Sequence, residues 1–332
     1  MKVTMDEGII KYKRGASMSN VTFLWIFSRG IELGVIVLCL FPIRALLRKK
    51  VPRIFSYLLW SVLPVNIVFN MCMSFLIRQG GWILDHVYKS PQVVADESIV
   101  KALKCVWMCG TLIVVCGMLW TYIRFRKRLI GSIRVYEGVY LAARINAPFT
   151  LGVFRPKIYL PSSLPEAYYE TVILHERVHI ARKDVWMKYL GIAFLGLFWF
   201  QPVLWFAYSK FVNDMEAACD ETVLRQKGKE YCEEYAQTLV EVSYQEGKVP
   251  GVAIGYGNGE IKDRIINVMN FEYTKHSTRI VALAVCIICI ALSIPLAWQV
   301  PRIVRSEKKE PVVRAEISVE KYGTDKKKVT NE

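Results

Sequence analysis

The segment His175-Glu176-Arg177-Val178-His179 has the residue types and spacing of a metal-dependent hydrolase motif, H-E-x-x-H. Side chains four apart lie on one face of a helix, so both imidazoles can reach one ion. Glu176 follows the first imidazole directly, which sets a carboxylate beside the metal, where a bound water would give up its proton. Two of the chain's four histidines fall in these five positions. A surface helix carrying these letters by chance is the bland alternative, and the scarcity of histidine argues against it.

A catalytic zinc takes three protein ligands and keeps one position open. The motif supplies His175 and His179. His86 lies in a distant connection and His276 beside the last apolar run, so neither suits the third position, and carboxylates remain. Glu216 begins Glu216-Ala217-Ala218-Cys219-Asp220. On a helix Glu216 and Asp220 share a face, so one can bind metal while the other holds a ligand imidazole in its tautomer. The competing reading is an acidic first turn favoured by the helix dipole. Asp184 and Arg182 follow the motif and are further candidates for supporting the ligands, or for a surface ion pair.

These residues must be positioned by a chain of unusual polarity. Its 332 residues are 53% hydrophobic, with mean hydropathy +0.27. The excess collects in four runs, Val21 to Ile43, Ile54 to Ile77, Ala102 to Ile123 and Ile280 to Val300. Each is about 20 or more residues, enough for a hydrocarbon core of roughly 30 Å. The first run sits behind a polar stretch and lacks a small-residue cleavage pattern, so it reads as a span and not as a signal peptide. Arg29 and Glu32 interrupt it three residues apart. They can pair on a protein-facing side, or the span can begin near Ile31 with Arg29 snorkelling.

The net charge of +15 is distributed by topology. Arg44, Arg48, Lys49, Lys50 and Arg53 fill the first connection, and Arg124, Arg126, Lys127, Arg128 and Arg134 follow the third run, whereas residues 78–101 are balanced. The positive-inside rule then places the N-terminus and residues 78–101 outside, and the region after 123 in the cytoplasm of a multi-pass cell-membrane protein. The basic clusters would meet anionic lipid headgroups. No recognition module accompanies the charge, so direct nucleic-acid binding is not expected. Most of the nine cysteines fall within the apolar runs and read as small packing residues, Cys286 and Cys289 included.

Four regions follow: residues 1–123 with three spans, a cytoplasmic domain over 124–278, a fourth span over 279–301 and a charged, disordered extracellular tail over 302–332. In the domain, Ile133 to Tyr136 and Val139 to Ala142 read as short strands joined by a turn at Glu137-Gly138, and Lys157 to Pro161 as a further strand. Residues 166–184 read as the motif helix and 212–246 as the helix of Glu216. Between them, Tyr189 to Tyr208 is a fifth apolar run broken by Gln201-Pro202. One full crossing would part Glu216 from His175, and two would need about 40 residues, more than separate His179 from Glu216. The expectation is a broken hairpin or surface-embedded element that dips into the bilayer; the alternative is an ordinary core helix.

His175-Glu176-x-x-His179-x-x-Arg182-x-Asp184, then Phe198-Trp199-Phe200-Gln201-Pro202-x-x-Trp205, then Glu216-x-x-Cys219-Asp220 resembles the BlaR/MecR-type membrane zinc metallopeptidases, the beta-lactam sensor-transducers and antirepressors. Ala147-Pro148-Phe149-x-x-Gly152-x-x-x-Pro156-x-Ile158-x-Leu160-Pro161 extends the likeness, which covers about residues 20–300. The resemblance implies a polytopic α-helical membrane protein with a cytoplasmic α+β zincin domain, gluzincin-like in its ligands. It implies one Zn2+ per chain held by His175, His179 and Glu216, with Glu176 as general base. It implies a regulatory endopeptidase that cleaves a transcriptional repressor or itself; a homodimer is compatible with this. The sensor-transducers carry a large extracellular penicillin-binding domain after the last span. About thirty residues stand there in this chain, so sensing by acylation is not expected. Two rival readings remain: a non-catalytic signalling protein that zinc merely stabilises, and a housekeeping membrane protease. No oxyanion-stabilising residue is evident.

Overall fold

A computed structural model describes residues 18–47, 51–80, 92–95, 97–247, 258–273, 276–299 and 302–305. Helix α1 spans Met18–Leu47. A second rod follows, built from α2 (Arg53–Leu58), a 3-10 turn at Leu59–Ser61, and α3 (Val62–Gly80). Helix α4 spans Glu97–Arg128. Three stretches, Phe23–Leu46, Arg53–Cys72 and Ser98–Arg128, are long and apolar enough to cross a membrane. Helix α4 turns large apolar side chains such as Leu112, Ile113 and Trp120 outward, a surface that suits hydrocarbon and not water. The fourth expected run is helical as α10 (His276–Gln299), although its apolar stretch among the described residues, Ile280–Ala291, is shorter.

Arg29 and Glu32 form an ion pair with side chains 1% and 0% exposed. Asn70 of α3 donates to Glu32 Oε1 at 3.4 Å, and Asn66 lies one turn away, its Oδ1 accepting from Asn70 at 3.1 Å. Of the two sequence readings, pairing toward protein is the one observed. A charge within an apolar bundle is tolerable only when partnered, which explains the buried amides opposite.

The region after α4 opens with a four-stranded sheet. Strands β2 (Ile133–Tyr136), β3 (Val139–Ala142), β4 (Phe149–Leu151) and β5 (Lys157–Pro161) lie in the order β2-β3-β5-β4. Strands β3 and β5 are parallel, with Val139 opposite Ile158 and Leu141 opposite Leu160; the other pairs are antiparallel. Strand β4 is therefore an edge. Gly152 ends it at φ 106°, and a Cβ there would stand 2.7 Å from the Arg155 carbonyl oxygen, so only glycine fits.

Five helices follow: α5 (Tyr169–Ala181), α6 (Asp184–Leu197), α7 (Pro202–Lys227), α8 (Cys232–Gly247) and α9 (Asn258–Met269). The motif helix expected over 166–184 is divided. A 3-10 turn at Glu166–Tyr168 precedes α5, and Lys183 in the left-handed region (φ 60°) separates α5 from α6. The helix expected over 212–246 is likewise two, parted at Gly228 with φ 99°. The apolar run at 189–208 is a helix–turn–helix with Gln201-Pro202 at the bend. Proline at the first helical position needs no hydrogen-bond partner for its nitrogen, which makes it a natural start for α7. Helix α5 is packed on two sides. Val172 and Ile173 meet Val139, Ile158 and Leu160 of the sheet, while Val178 meets Cys219, Val223 and Tyr235 of α7 and α8.

The tail departs from expectation at one place. Arg302–Arg305 form β6, which pairs in parallel with β1 (Gln92–Ala95), Gln92 opposite Arg302. Backbone groups of the connection before α4 satisfy it, so a charged composition did not prevent local order there. The pairing joins two segments that the count of spans, and not the charge of the basic tail, assigns to the same side.

Candidate metal centre

Helix α5 presents His175 and His179 one turn apart, and their Nε2 atoms converge to 3.1 Å. Glu216 reaches the same point from α7, its Oε2 lying 3.3 Å from His175 Nε2 and 3.4 Å from His179 Nε2. Tetrahedral ligands at about 2.0–2.1 Å from an ion stand roughly 3.3–3.4 Å from one another. The three separations match that spacing, so the donor set fits a small divalent cation such as zinc.

The outer nitrogens fix the tautomers. His179 Nδ1 lies 2.7 Å from Asp184 Oδ2 and donates to it. The left-handed turn at Lys183 makes this contact: it folds the chain back so that the first residue of α6 faces the last turn of α5. Tyr57 of α2 donates to the other carboxylate oxygen of Asp184 at 3.2 Å. His175 Nδ1 lies 2.6 Å from the Tyr235 hydroxyl, which donates its one proton to Asp220 Oδ1 at 2.8 Å and therefore accepts from the imidazole. Arg264 of α9 clamps Asp220 with two hydrogen bonds of 2.9 and 2.7 Å. Both Nε2 lone pairs thus point inward, an arrangement that repels itself without a cation between them.

The electrostatics agree. Burial acts to depress His175, but Cys219 and Glu216 outweigh it and raise the imidazole to about 10. His179 is raised for the same reason, the Glu216 carboxylate being the strongest opposing influence. Burial alone would raise Glu216; Lys188, 3.2 Å from its Oε1, and the imidazoles hold it well below the usual carboxylate range. Without an ion the imidazoles take up protons beside the ionised carboxylate, and a bound metal would displace those protons and free both Nε2 lone pairs.

Cys219 stands one turn beyond Glu216, and its sulfur and the two imidazoles lie within 4.8 Å of one another. Two α7 side chains thus approach the third position. Glu216 Oε2 lies 3.3 and 3.4 Å from the two imidazole nitrogens, and the Cys219 thiol, beside the same imidazoles, also donates to the His175 carbonyl oxygen at 3.4 Å.

Glu176 is buried beside this cluster, and its Oε2 accepts from Thr150 Oγ1 of the edge strand β4 at 2.7 Å. Of the residues singled out in the sequence, His175, His179 and Glu216 meet, Asp184 reaches His179, and Glu176, next in the chain to His175, contacts Thr150. Asp220 supports His175 through Tyr235, its own oxygen lying 3.5 Å from the ring. Arg182 lies over the Tyr57 ring at 5.0 Å, with its Nε 3.5 Å from Asp184 Oδ2, so it reaches the ligand only through Asp184. His86 lies outside the described residues, and His276 begins α10. Thr150, Tyr235, Arg264, Tyr57 and Lys188 went unnoticed in the sequence. Each comes from a different element, and no short-range spacing announces them.

A family model described as BlaR1 peptidase M56 matches residues 24–268. The chain belongs to the BlaR1 peptidase M56 family. The match takes in both the apolar helices and the metal cluster, so the M56 unit here comprises the two together. The chain is 25% identical over 219 residues to the regulatory protein BlaR1 of Bacillus licheniformis, covering 58% of this chain and 36% of that protein. It is 28% identical over 166 residues to the methicillin resistance mecR1 proteins of Staphylococcus aureus and Staphylococcus epidermidis, covering 47% of this chain and 28% of each. The matches therefore span about a third of the length of these curated relatives. Membership makes the chain peptidase-like.

Proposed function

We propose that this protein is a membrane-anchored zinc metalloendopeptidase whose catalytic cluster faces the cytoplasm. The observation that carries the reading is the convergence of His175 Nε2, His179 Nε2 and Glu216 Oε2 at mutual distances of 3.1–3.4 Å, with Glu176 beside them. The three would hold one zinc ion, which when bound supplies a Lewis acid for a peptide carbonyl and acidifies its water. Asp184 and Tyr235 keep the imidazoles in the tautomer that leaves Nε2 free. Glu176 takes a proton at its carboxylate and delivers it to the leaving amine. The Thr150 hydroxyl orients that carboxylate through one hydrogen bond. The free side of β4 offers its backbone groups to an extended peptide, which would lie along the strand that carries Thr150.

The substrate we infer is a cytoplasmic transcriptional repressor, or the protein itself, cleaved in response to an external signal. The regulatory and resistance names of the relatives support this, as does the joining of apolar helices to the metal cluster in one matched unit. The basic stretches around Arg44–Arg53 and Arg124–Arg134 support a cytoplasmic catalytic side by the positive-inside rule. The test is to reconstitute the full-length protein in lipid nanodiscs and offer it a repressor encoded beside its gene. Zinc-dependent, chelator-sensitive cleavage by the wild type and none by Glu176→Gln is the expected result; equal cleavage by both would overturn the mechanism.

A further inference from the structure

Asp214 precedes Glu216 by two positions on α7, which turns the two carboxylates to different sides of the helix. It is 3% exposed, yet it does not face the metal cluster. Its carboxylate is filled by the membrane helices. Arg44, at the end of α1, meets it with both Nε and NH2, at 2.5 and 2.7 Å. Trp60, in the 3-10 turn between α2 and α3, donates its indole N–H to Asp214 Oδ2 at 2.9 Å. About two turns further along α7, Glu221 Oε2 accepts the backbone N–H of Arg53, the first residue of α2, at 2.5 Å. The Arg53 guanidinium continues to Asn267 of α9 at 2.6 Å. The same stretch of α7 thus carries Glu216, Cys219 and Asp220 toward α5 and α8, and Asp214 and Glu221 toward α1 and α2.

Far from this point, the bend that starts α7 is also tied to α1: Gln201 Nε2 donates to the Gly30 carbonyl at 3.1 Å, beside the buried Arg29–Glu32 pair. Helix α1 therefore grips α7 at two places, Gly30–Gln201 and Arg44–Asp214. At about 1.5 Å per residue these lie roughly 20 Å apart along α7. A helix held at two such points by one neighbour cannot slide or turn independently of it.

We propose that Asp214 is a positioning residue for the metal, and that its clasp by Arg44 and Trp60 sets where Glu216 Oε2 stands relative to the two imidazoles. This deepens the function proposed above and rests on Glu216 being a ligand. Arg44 and Arg53 stand in the basic connection that sets topology. They also register the ends of the first two apolar helices against the ligand-bearing turn. A shift of α1 or α2 is then transmitted to the metal geometry, which gives a transducer a physical route from membrane to active site.

The experiment uses full-length protein in nanodiscs, with zinc retention measured against a competing chelator and with the absorption spectrum of the cobalt-substituted form. Arg44→Gln and Asp214→Asn are each expected to weaken zinc retention by about 10-fold or more, as loss of a group supporting a ligand does, and to alter the cobalt spectrum. The double variant should be no worse than either single one, and Arg44→Lys should recover part of the loss. Trp60→Phe, which removes one N–H and keeps the ring, serves if those variants fail to fold, and should weaken zinc retention several-fold. Glu216→Ala separates the two readings. If it retains zinc as the wild type does, the ligand assignment fails. If it loses zinc while Asp214→Asn, or Trp60→Phe in its stead, keeps wild-type affinity and an unchanged cobalt spectrum, the positioning role alone is overturned.

Discussion

At the scale of single residues, the proposed mechanism assigns metal binding and proton transfer to different side chains. His175, His179 and Glu216 point their donor atoms at one spot, whereas Glu176 hydrogen-bonds away to Thr150. Glu176→Gln should therefore keep one zinc per chain and lose proteolysis by at least about 100-fold, checked by metal analysis beside a cleavage assay; loss of zinc in that variant would contradict the separation. Tyr235→Phe removes the acceptor of His175 Nδ1–H and should lower zinc affinity about 10- to 100-fold, measured by chelator competition. Affinity unchanged from wild type would mean that the imidazole needs no such partner. The meeting of His175 and His179 was legible because they share one helix turn and a rare residue type. Residue chemistry narrowed the third side chain to a carboxylate, Glu216 or Asp220, and the family resemblance pointed to Glu216. Tyr235 was not, since a tyrosine on a helix far along the chain is far more often packing, and only the fold turns its hydroxyl between His175 and Asp220.

At the scale of elements, the apolar runs and short strands followed from composition and alternation, while the breaks did not. A left-handed Lys183 cannot be anticipated from lysine's preferences, because the tertiary demand that Asp184 return to His179 overrides them. Gly228, by contrast, is the residue type expected at such a break. The bend at Gln201-Pro202 was legible from proline, and its docking on Gly30 was not. Helices α6 and α7 approach closely at Gly191, where a Cβ would stand 2.6 Å from the Tyr208 ring. Gly191→Val should therefore part the two helices and destabilise the protein by roughly 1–3 kcal/mol, seen as a lowered unfolding midpoint in detergent; an unchanged midpoint would show the hairpin to be loosely packed. Glu32→Gln leaves the Arg29 charge buried beside a neutral amide and should cost roughly 3–5 kcal/mol by the same measurement. A cost under about 1 kcal/mol would place Arg29 in contact with water.

At the scale of the molecule, the same helix that brings Glu216 to the imidazoles also docks on α1 and α2, so the apolar bundle and the metal cluster share a wall. A match to one family model likewise runs from residue 24 to 268, across the boundary that polarity alone would draw near residue 123. Hydropathy divides the chain there. The contacts that unite it, Arg44 with Asp214 and Arg53 with Glu221, join residues far apart in the chain and leave no local trace. Since a metal in the shared wall would tie α5 to α7, removing it with a chelator should lower the unfolding midpoint of the whole protein, and restoring zinc should recover it. X-ray absorption at the zinc edge of the purified, zinc-loaded protein reads the identity of the three donors themselves. Two imidazole nitrogens and light oxygen scatterers, all at about 2.0–2.2 Å, are the expected result. A sulfur scatterer near about 2.3 Å would place Cys219 in the third position, contradicting the assignment of Glu216 and the mechanism built upon it.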